Sequence, residues 1–385
     1  MSTESNGYSS FDYNMMRNAL ALGRRGHGNV WPNPAVGCVI VSMTGKLLAQ
    51  GWTQPSGRPH AETYAIQKIM SEYGEAASEI LKTATAYVTL EPCSHFGKTG
   101  PCAQALVDVG IQKVVVATLD PDERVSGRGI EMLRAGGVDV SVGLCREEAD
   151  SDHKGFFYRV TKSRPLVTLK VATTMDGFIA SRTGKSKWIT GDLARQRGHL
   201  LRSSHDAILV GSGTVKADNP SLNCRFSGAK EIDQPVRIVV DTKAQSLTDS
   251  SNLVKSASVI SPVWLLHDEE VQIQNHLNNS EAVSFIACRR SNLGGLDIEH
   301  ILAQLAEKGI TRLLVEGGGT ISASFLKAGL VDEIYWFQAP SILGGDGLSA
   351  IGAMHVDDLR EMSSFEVKSS ISLGRDTLTI LSRYA

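Results

Sequence analysis

Short apolar runs alternate with amphipathic segments along the first 145 residues of the chain. The apolar runs predict buried strands at residues 35–41, 47–51, 84–90, 113–117 and 138–142. The segments between them carry helix start and stop signals and predict helices at residues 12–23, 60–70, 102–109 and 127–135. We expect Asp12 to be the N-cap of the first helix and Gly23 to end it. This alternation is typical of a layered α/β domain.

The same alternation returns after residue 165. Strands are predicted at residues 166–172, 207–211, 236–241, 263–267, 283–287, 312–316 and 333–338, and helices at residues 192–202, 297–308 and 320–327. Between Cys145 and Ser163 the chain is charged and polar with little periodicity, so we place a domain boundary there. The predicted division is a polar, disordered tail at residues 1–10, a first domain at 11–150 and a second at 151–385.

Charge and composition restrict the possible partners. The 385 residues include 39 basic and 41 acidic side chains, which gives a formal net charge of −2. Proteins that hold nucleic acid usually carry a basic surplus, because phosphate neutralisation supplies most of the binding free energy. The chain shows no apolar run near the ~18 residues of a membrane span and no signal-peptide pattern. We therefore expect a soluble, cytoplasmic protein that binds a small molecule and neither nucleic acid nor a membrane.

The clearest chemical signal joins a histidine, a glutamate and two of the six cysteines. His60 and Glu62 lie at the predicted start of one helix, Cys93 follows a strand, and Cys102 opens the next helix. One imidazole and two thiolates hold a catalytic zinc ion and leave its fourth position open for water. In zinc deaminases a glutamate that is not a ligand moves the proton. The pattern predicts one Zn²⁺ per chain, held by the histidine and the two cysteines, with Glu62 as the proton-transfer group.

Other interpretations of this region stay open. His95 would close the site if it were a fourth ligand, and the zinc would then be structural. Residues 94–101 separate the two cysteines further than the Pro-Cys-x-x-Cys of nucleic-acid and nucleoside deaminases. Lys98 and the glycines in this segment suit a small phosphate, unless the segment is an ordinary solvated loop.

Two glycine-rich turns follow predicted strands in the second half. Residues 317–319 lead from a strand into a helix, and residues 211–213 follow another strand. Backbone N–H groups at such helix starts receive cofactor phosphates, although either turn alone is more often an ordinary tight turn. The chain lacks Gly-x-Gly-x-x-Gly followed ~20 residues later by an acidic residue, which marks the usual dinucleotide-binding unit. We therefore interpret Asp241, at the end of a strand, as structural.

Motifs in both halves resemble one family, the bifunctional deaminase/reductases of riboflavin biosynthesis. The first half shows Pro-Asn-Pro-Ala-Val-Gly at residues 32–37, His-Ala-Glu at 60–62, Glu-Pro-Cys-Ser-His-Phe-Gly-Lys-Thr at 91–99 and Cys102. The second half shows Lys170, Met-Asp-Gly at 175–177, Trp-Ile-Thr at 188–190, Asp-Ala-Ile at 206–208, Gly-Thr-Val at 213–215, Asp-Asn-Pro at 218–220 and Glu-Gly-Gly at 316–318. Both halves match independently and in the order usual for the family.

The resemblance implies a fold and two reactions. The first domain would be a cytidine-deaminase-like three-layer α/β/α unit, and the second a dihydrofolate-reductase-like α/β unit. The first would use Zn²⁺ to remove the 2-amino group of 2,5-diamino-6-(5-phosphoribosylamino)pyrimidin-4(3H)-one as ammonia. The second would use NADPH to reduce the ribosyl group of that product to ribityl. We also expect a homo-oligomer, whose size the sequence does not fix.

The resemblance also implies roles for individual residues. In the deaminase, Asn33 would hold the substrate and Lys98 would meet its phosphate. Lys170 and Asp218 are candidates for polarising and protonating the sugar, unless they form a salt bridge that holds adjacent strands. The expected cofactor-binding residues are Ala172, Trp188, Thr214, Asp218, Gly318, Gly319, Thr320, Ile321, Ser322, Ala323 and Ser324. The expected substrate-binding residues of the reductase are Ser186, Arg202, Leu222, Arg225 and Glu316, with both arginines on the phosphate.

The sequence departs from the family pattern at two places. Gly100 precedes Pro101 where the family usually has a second proline, and Asp122-Glu123 stands where it has Asn-Pro. The second change adds two carboxylates near the predicted deaminase site. Two alternatives remain: a nucleic-acid or nucleoside deaminase with an accessory domain, and a relative with one working domain. The balanced charge opposes the first alternative, and the intact zinc ligands and cofactor turns oppose the second.

Overall fold

The chain divides between Lys162 and Ser163 into two units, Met1–Lys162 and Ser163–Ala385. The computed structural model describes residues 7–95, 100–122, 126–226, 234–273, 277, 280–292 and 294–384. The boundary predicted after residue 150 falls inside a continuous helix, Arg146–Lys162, which belongs to the first unit. This helix buries only three residues, Ala149, His153 and Gly155, and one of them is polar. Its apolar face was therefore too weak to be recognised from the sequence.

The first unit contains a five-stranded mixed sheet. Its strands are β1 (Gly37–Val41), β2 (Leu47–Trp52), β3 (Thr85–Val88), β4 (Lys113–Val116) and β5 (Asp139–Val142). Their order is β2-β1-β3-β4-β5, with β1 antiparallel to both neighbours and the last three parallel. The helices are α1 (Ser10–Gly23), α2 (Ala61–Tyr73), α3 (Ala77–Leu81), α4 (Cys102–Asp108), α5 (Arg128–Ala135) and α6 (Arg146–Lys162).

Helices cover both faces of this sheet. On β1, Cys38 and Ile40 are buried in one apolar cluster with residues of α2, α4 and α5. Val39 and Val41 are buried in a second cluster, which includes Met16 of α1. Because successive side chains of a strand point to opposite faces, the two clusters lie on opposite sides of the sheet. The predicted three-layer α/β/α fold is confirmed.

The first helix begins two residues before its predicted start. The Ser9 hydroxyl accepts a hydrogen bond from the backbone N–H of Asp12, and the Asp12 carboxylate accepts one from the backbone N–H of Ser9. Ser9 is therefore the N-cap. The prediction of Asp12 was wrong, because Asp12 is the third residue of the helix and the last residue of the capping box. Of the predicted tail, Ser10 is helical and residues 1–6 lie outside the described part of the chain.

The second unit is built on a nine-stranded sheet. In spatial order its strands are β11 (Val283–Cys288), β10 (Val263–Asp268), β9 (Val236–Val240), β8 (Ala207–Gly211), β12 (Arg312–Glu316), β6 (Leu166–Thr173), β13 (Glu333–Gln338), β16 (Asp376–Arg383) and β15 (Phe365–Leu373). Neighbours from β11 to β13 are parallel, and the last two strands are antiparallel. A separate ribbon pairs β7 (Phe178–Ala180) with β14 (Leu348–Ser349). The helices are α7 (Asp192–Ser203), α8 (Ser212–Asp218), α9 (Asn252–Lys255), α10 (Ile298–Glu307) and α11 (Gly319–Lys327).

Every strand predicted from an apolar run is present, with its ends within two residues of the prediction. The elements missed in the second unit include β15 and β16, which form one edge of the large sheet. Most of β15 is exposed to solvent. Polar residues therefore interrupt its apolar residues, and the strand lacks the continuous apolar run by which the buried strands were predicted. Among the described residues, the structure contains no helix both long enough and apolar enough to cross a bilayer.

Buried His153 on α6 couples the stability of the first unit to pH. Its Nε2 lies 3.2 Å from the Thr89 hydroxyl, and burial lowers the pKa of His153 to about 4. In the unfolded chain the ring titrates near its ordinary value of about 6.5. Below that pH the unfolded state takes up a proton that the folded state does not. The free energy of unfolding therefore falls as the pH drops from about 6.5 towards 4.

We expect His153→Asn to remove this contribution. Between pH 7 and pH 4 the wild type should lose about 3 kcal/mol more of its free energy of unfolding than the variant. Urea unfolding at several pH values measures the difference. His355→Asn, which changes an exposed imidazole, is the control and should follow the wild type. The same pH dependence in all three proteins would show that His153 does not carry the effect.

Candidate active sites

Three separate segments of the first unit bring the predicted zinc ligands together. His60 is the N-cap of α2, Cys93 lies in the loop after β3, and Cys102 is the first residue of α4. The Nδ1 atom of His60 lies 3.7 Å from Cys93 Sγ and 3.3 Å from Cys102 Sγ. Candidate ligand atoms of all three residues lie within 4.8 Å of one another. The structure thus assembles the set of residues that the sequence spacing indicated.

The arrangement of these atoms fits one zinc ion. Zinc bonds of about 2.05 Å to nitrogen and 2.3 Å to sulfur, at a tetrahedral angle, separate the two ligand atoms by about 3.6 Å. The hydrogen bond from Cys102 lowers the pKa of Cys93 to about 4, and the same contact, with burial, raises the pKa of Cys102 well above its usual value. Zinc binding requires both sulfurs as thiolates and would release any proton that they carry, as expected for a thiolate site.

A fourth protein ligand does not complete this group within the described residues. His95 is exposed in the loop after Cys93 and is not part of the group. Residues 96–99 lie outside the described part of the chain, and with them the predicted phosphate ligand Lys98. The described ligand set is therefore one histidine and two cysteines, the set of a zinc site with a position open for water.

Glu62 and Asn33 share a cavity of about 210 Å³ with two of the candidate zinc ligands, His60 and Cys93. Glu62 lies in the first turn of α2 and is only 3% exposed. Burial raises the pKa of Glu62 to about 7, against the attraction of His60. The described residues that line the cavity are Pro32, Asn33, Pro34, Val36, Thr53, Arg58, His60, Glu62, Leu90, Glu91, Cys93, His95, Asp120, Asp122, Phe156, Arg159 and Val160.

Two glycines allow the close backbone packing that sets this geometry. A Cβ atom at Gly51 of β2 would overlap the carbonyl oxygen of Ala61, so the start of α2 lies directly against the strand. Gly57 has φ of +82°, and a Cβ atom there would overlap the side-chain amide of Asn33. The close approach at Gly51 positions the start of α2, which directly follows His60. The close approach at Gly57 positions Asn33 in the cavity.

Glu91 holds the loop of Cys93 against α5. Its carboxylate accepts backbone N–H groups from Gly127 at 3.0 Å, Gly129 at 2.9 Å and Asp120 at 3.3 Å. A negative charge at the start of a helix is favoured by the helix dipole. Sequence reasoning noted Glu91 only as part of a motif, because nothing local to it indicates a partner 36 residues away.

Several cavity residues were not predicted from the sequence. They include Arg58, Asp120 and one face of α6, a helix that the sequence analysis missed. Burial raises the pKa of Asp120 to about 6. The sequence analysis predicts two added carboxylates near the deaminase site, at Asp122 and Glu123. Asp122 does line the cavity, and Glu123 lies outside the described residues.

A buried cluster of charges lies on the central strands of the second unit. Lys170 of β6 and Glu316 of β12 are opposite one another in the parallel pairing, with Lys170 Nζ 3.9 Å from Glu316 Oε2. Arg202 of α7 donates two hydrogen bonds to the same carboxylate, at 2.8 and 2.9 Å. Burial alone would raise the pKa of Glu316, but the two cations outweigh it and lower the pKa to about 2. Burial lowers the pKa of Lys170.

The predicted alternative of a salt bridge between Lys170 and Asp218 was wrong. Asp218 is the exposed last residue of α8 and not part of a strand. A salt bridge across adjacent strands does exist, but it joins Lys170 to Glu316. Residue types alone do not predict the strand register, which decides the partner of Lys170.

Asn223 connects the two arginines predicted to bind the substrate phosphate. Its backbone carbonyl accepts a hydrogen bond from Arg202 at 3.0 Å, and its side-chain oxygen accepts one from Arg225 at 2.9 Å. His199, one turn before Arg202 on α7, accepts the backbone N–H of Arg225 at 3.3 Å. Neither Asn223 nor His199 was predicted. The preceding residue, Leu222, is buried.

A second cavity, of about 320 Å³, brings the two glycine-rich turns of this unit together. Of the predicted cofactor residues, it is lined by Thr214, Gly318, Thr320, Ile321 and Ser324, together with Gly211, Ser212, Gly213, Val240, Thr242, Gly294, Gly295, Leu296 and Ile298, which were not predicted. Gly318 is the N-cap of α11, so unpaired backbone N–H groups at this helix start are available to a phosphate.

The remaining predicted residues of this unit lie elsewhere. Gly319, Ser322 and Ala323 belong to α11 without lining the cavity, and a Cβ atom at Gly319 would lie 2.7 Å from the Ser349 carbonyl oxygen. Ala172 is half-buried on β6, Ser186 is half-buried in a loop, and Trp188 is 66% exposed with the Arg195 guanidinium 4.5 Å from its ring. Asp241 accepts the backbone N–H groups of Gln245 and Ser246, so it is structural, as predicted.

Two family models match the chain, one in each unit. Residues 9–118 match the cytidine and deoxycytidylate deaminase zinc-binding region, and residues 165–378 match the RibD C-terminal domain. The second match covers more than half of the chain. The deaminase match begins before α1 and extends beyond Cys102, so it contains all three candidate zinc ligands.

Full-length relatives show both units in the same order. The riboflavin biosynthesis protein RibD of Aquifex aeolicus (strain VF5) is 40% identical over 373 residues, which cover 97% of this chain and 99% of that protein. The protein of the same name from Escherichia coli (strain K12) is 36% identical over 375 residues, covering 95% and 97%.

Solved structures agree with this assignment. The structure of Acinetobacter baumannii RibD, form 1, has a TM-score of 0.84 at 32% identity, and covers 97% of this chain and 99% of its own. A Thermotoga maritima protein described as a diaminohydroxyphosphoribosylaminopyrimidine deaminase/5-amino-6-(5-phosphoribosylamino)uracil reductase has a TM-score of 0.83 at 34% identity, with the same coverage. The chain therefore belongs to the RibD family of bifunctional enzymes of riboflavin biosynthesis, with a zinc-binding deaminase domain followed by a nicotinamide-dependent reductase domain.

Proposed function

We propose that the first unit hydrolyses the 2-amino group of 2,5-diamino-6-(5-phosphoribosylamino)pyrimidin-4(3H)-one to release ammonia. The second unit then reduces the ribosyl group of the product to ribityl with NADPH as the hydride donor. The observation that carries this proposal is the convergence of His60, Cys93 and Cys102 at one point, with Glu62 in the same cavity. The reaction pair named for the Thermotoga maritima relative supports the choice of substrates.

Three tasks of the first reaction fall to described residues at or beside the deaminase cavity. His60, Cys93 and Cys102 hold the zinc ion, which supplies a Lewis acid that makes water reactive at neutral pH. Glu62 accepts the proton of the attacking water and delivers it to the departing amine. Asn33 holds the pyrimidine at the cavity wall. Lys98, outside the described residues, is proposed to bind the phosphate.

In the second reaction the buried charge cluster acts on the sugar. Glu316 stays ionised, because Arg202 and Lys170 lower its pKa, and it holds both cations in place. Burial makes Lys170 a better proton donor to the ring oxygen when the sugar opens, and Asp218 is its proposed partner. Arg202 and Arg225 bind the substrate phosphate, with Ser186, Leu222 and Glu316 completing the substrate-binding set.

The cofactor binds across the two glycine-rich turns. The start of α11 and residues 211–213 at the start of α8 present backbone N–H groups and small residues to one cavity, which suits a dinucleotide phosphate. The choice of NADPH over NADH rests on the family resemblance. We further propose, on the same basis, that the protein is a cytoplasmic homo-oligomer that acts on a small molecule.

The central test follows ammonia release and nicotinamide absorbance together. The purified protein is given the diaminopyrimidine phosphoriboside with NADPH or NADH. We expect Glu62→Gln to keep its zinc, measured by metal analysis, and to lose ammonia release by about 10²- to 10⁴-fold because the proton carrier is gone. Nicotinamide oxidation should disappear with it, because the reductase then receives no deaminated substrate.

Two controls separate the reactions. Supplying the deaminated pyrimidine should restore nicotinamide oxidation in Glu62→Gln. Glu72→Gln, which changes an exposed glutamate in the last turn of the same helix, should behave as the wild type. Full ammonia release by Glu62→Gln would refute the proton-transfer role, and absence of release by the wild type would refute the deaminase proposal.

Gly57→Ala should weaken deamination by displacing Asn33. The added methyl group would overlap the Asn33 amide, so we expect kcat/KM for ammonia release to fall by about tenfold or more while zinc content is unchanged. Gly137→Ala is the matched control, because Gly137 has the same φ of +82° and has no heavy atom within 4 Å of the added Cβ position. Equal activity of the two variants would show that the contact with Asn33 is unimportant.

Lys170→Met should separate the two activities. We expect nicotinamide oxidation with the deaminated substrate to fall by about a hundredfold or more, while ammonia release is unchanged. Lys216→Met, an exposed change on α8, is the control. If Lys170 only held the strands together, the variant would unfold at lower temperature but keep its oxidation rate when assayed well below its melting point.

A further inference from the structure

One face of α6 forms a wall of the deaminase cavity. Phe156, Arg159 and Val160 all line this cavity. Their spacing of three and four residues places them on the same side of the helix. Phe156 also packs against the apolar cluster between the sheet and helices α2, α4 and α5. Core packing therefore fixes the part of α6 that presents the half-buried Arg159 to the cavity.

The charges around the cavity are unfavourable for an anionic substrate. The described lining contains four carboxylates and two arginines: Glu62, Glu91, Asp120, Asp122, Arg58 and Arg159. A phosphate that enters this cavity is repelled by the carboxylates, and the repulsion is strong in a partly dehydrated space. A cation at the phosphate position is therefore needed for tight binding.

The two arginines differ in their relation to the zinc ligands. Arg58 precedes the candidate ligand His60 by two residues, and both residues line the cavity. It therefore lies on the side of the cavity where the reacting end of the pyrimidine must sit. Arg159 comes from α6, an element that supplies none of the three ligands. The ribose phosphate extends away from the reacting carbon, so a wall without zinc ligands is the appropriate place for its binding group.

We infer that Arg159 is a specificity-determining residue of the deamination reaction, which binds the phosphate of the substrate while the pyrimidine lies at the zinc site. The inference rests on the proposed function, because it takes the phosphoribosyl substrate as given. A guanidinium group presents two parallel N–H donors to a phosphate, and it remains charged at every pH at which the enzyme folds. Arg159 is distinct from Lys98, which belongs to the segment between the two cysteines.

A purely structural role for Arg159 makes a different prediction. If the guanidinium only balanced Asp120 and Asp122, its loss would change the deamination of every substrate that enters the cavity. If it binds phosphate, its loss affects a phosphorylated substrate and leaves the corresponding dephosphorylated riboside unaffected. The comparison of these two substrates therefore separates the two roles.

The test uses the full chain and measures ammonia release from the phosphorylated diaminopyrimidine riboside and from its dephosphorylated form. We expect Arg159→Gln to lower kcat/KM for the phosphorylated substrate by about ten- to hundredfold, mainly through KM, and to leave the dephosphorylated substrate within about twofold of the wild type. Arg159→Lys keeps the charge and should recover part of the loss. Lys162→Gln removes an exposed charge from the same helix without lining the cavity, and should match the wild type.

The possible outcomes test the role of Arg159 and the proposed function separately. Equal losses of kcat/KM on both substrates, or no loss on the phosphorylated one, would overturn the phosphate-binding role of Arg159. If Arg159→Gln proves unstable in thermal unfolding, Arg159→Lys is used in its place. The ratio of its kcat/KM values on the phosphorylated and dephosphorylated substrates then separates the two roles. If the wild type released ammonia from neither substrate, the proposed function would fail and the inference would fall with it, which is a different result from either of the first two.

Discussion

The proposed chemistry of the first unit depends on three candidate ligand atoms from separate segments being held within 4.8 Å of one another. None of these segments is positioned by the metal alone. The start of α2 is held by its close approach to Gly51, and the loop of Cys93 is held by Glu91 through backbone N–H groups near the start of α5. These contacts form from the polypeptide itself, so part of the ordering of the site is established by folding.

The pKa values of buried carboxyl groups are shifted in opposite directions in the two candidate sites. In the reductase, Glu316 is surrounded by two cations and is ionised at all working pH values, so the cluster is internally compensated. In the deaminase, burial raises the pKa values of Glu62 and Asp120. The first arrangement suits a fixed electrostatic framework around a sugar, and the second suits groups that exchange protons during the reaction.

The sequence predicted the parts of this molecule that depend on local patterns. Buried strands such as β1 and β12 were found because they are continuous apolar runs, and the zinc ligands because their residue types and order are unusual in combination. The sequence did not predict the strand register that pairs Lys170 with Glu316. It also did not predict the contact of Glu91 with Gly127. They join residues far apart in the chain, and neither partner carries a local sign of the other.

Helix α6 shows why a polar segment is easily mistaken for a linker. Its charged residues, such as Arg146 and Lys162, face solvent, so its composition resembles that of a domain connection. Yet the same helix buries His153 against Thr89, and its later turns supply Phe156 and Arg159 to the deaminase cavity. A deaminase domain ending at residue 150 would lack this wall and the core contacts that fix it. The helix therefore belongs to the first compact unit, which ends with it at Lys162.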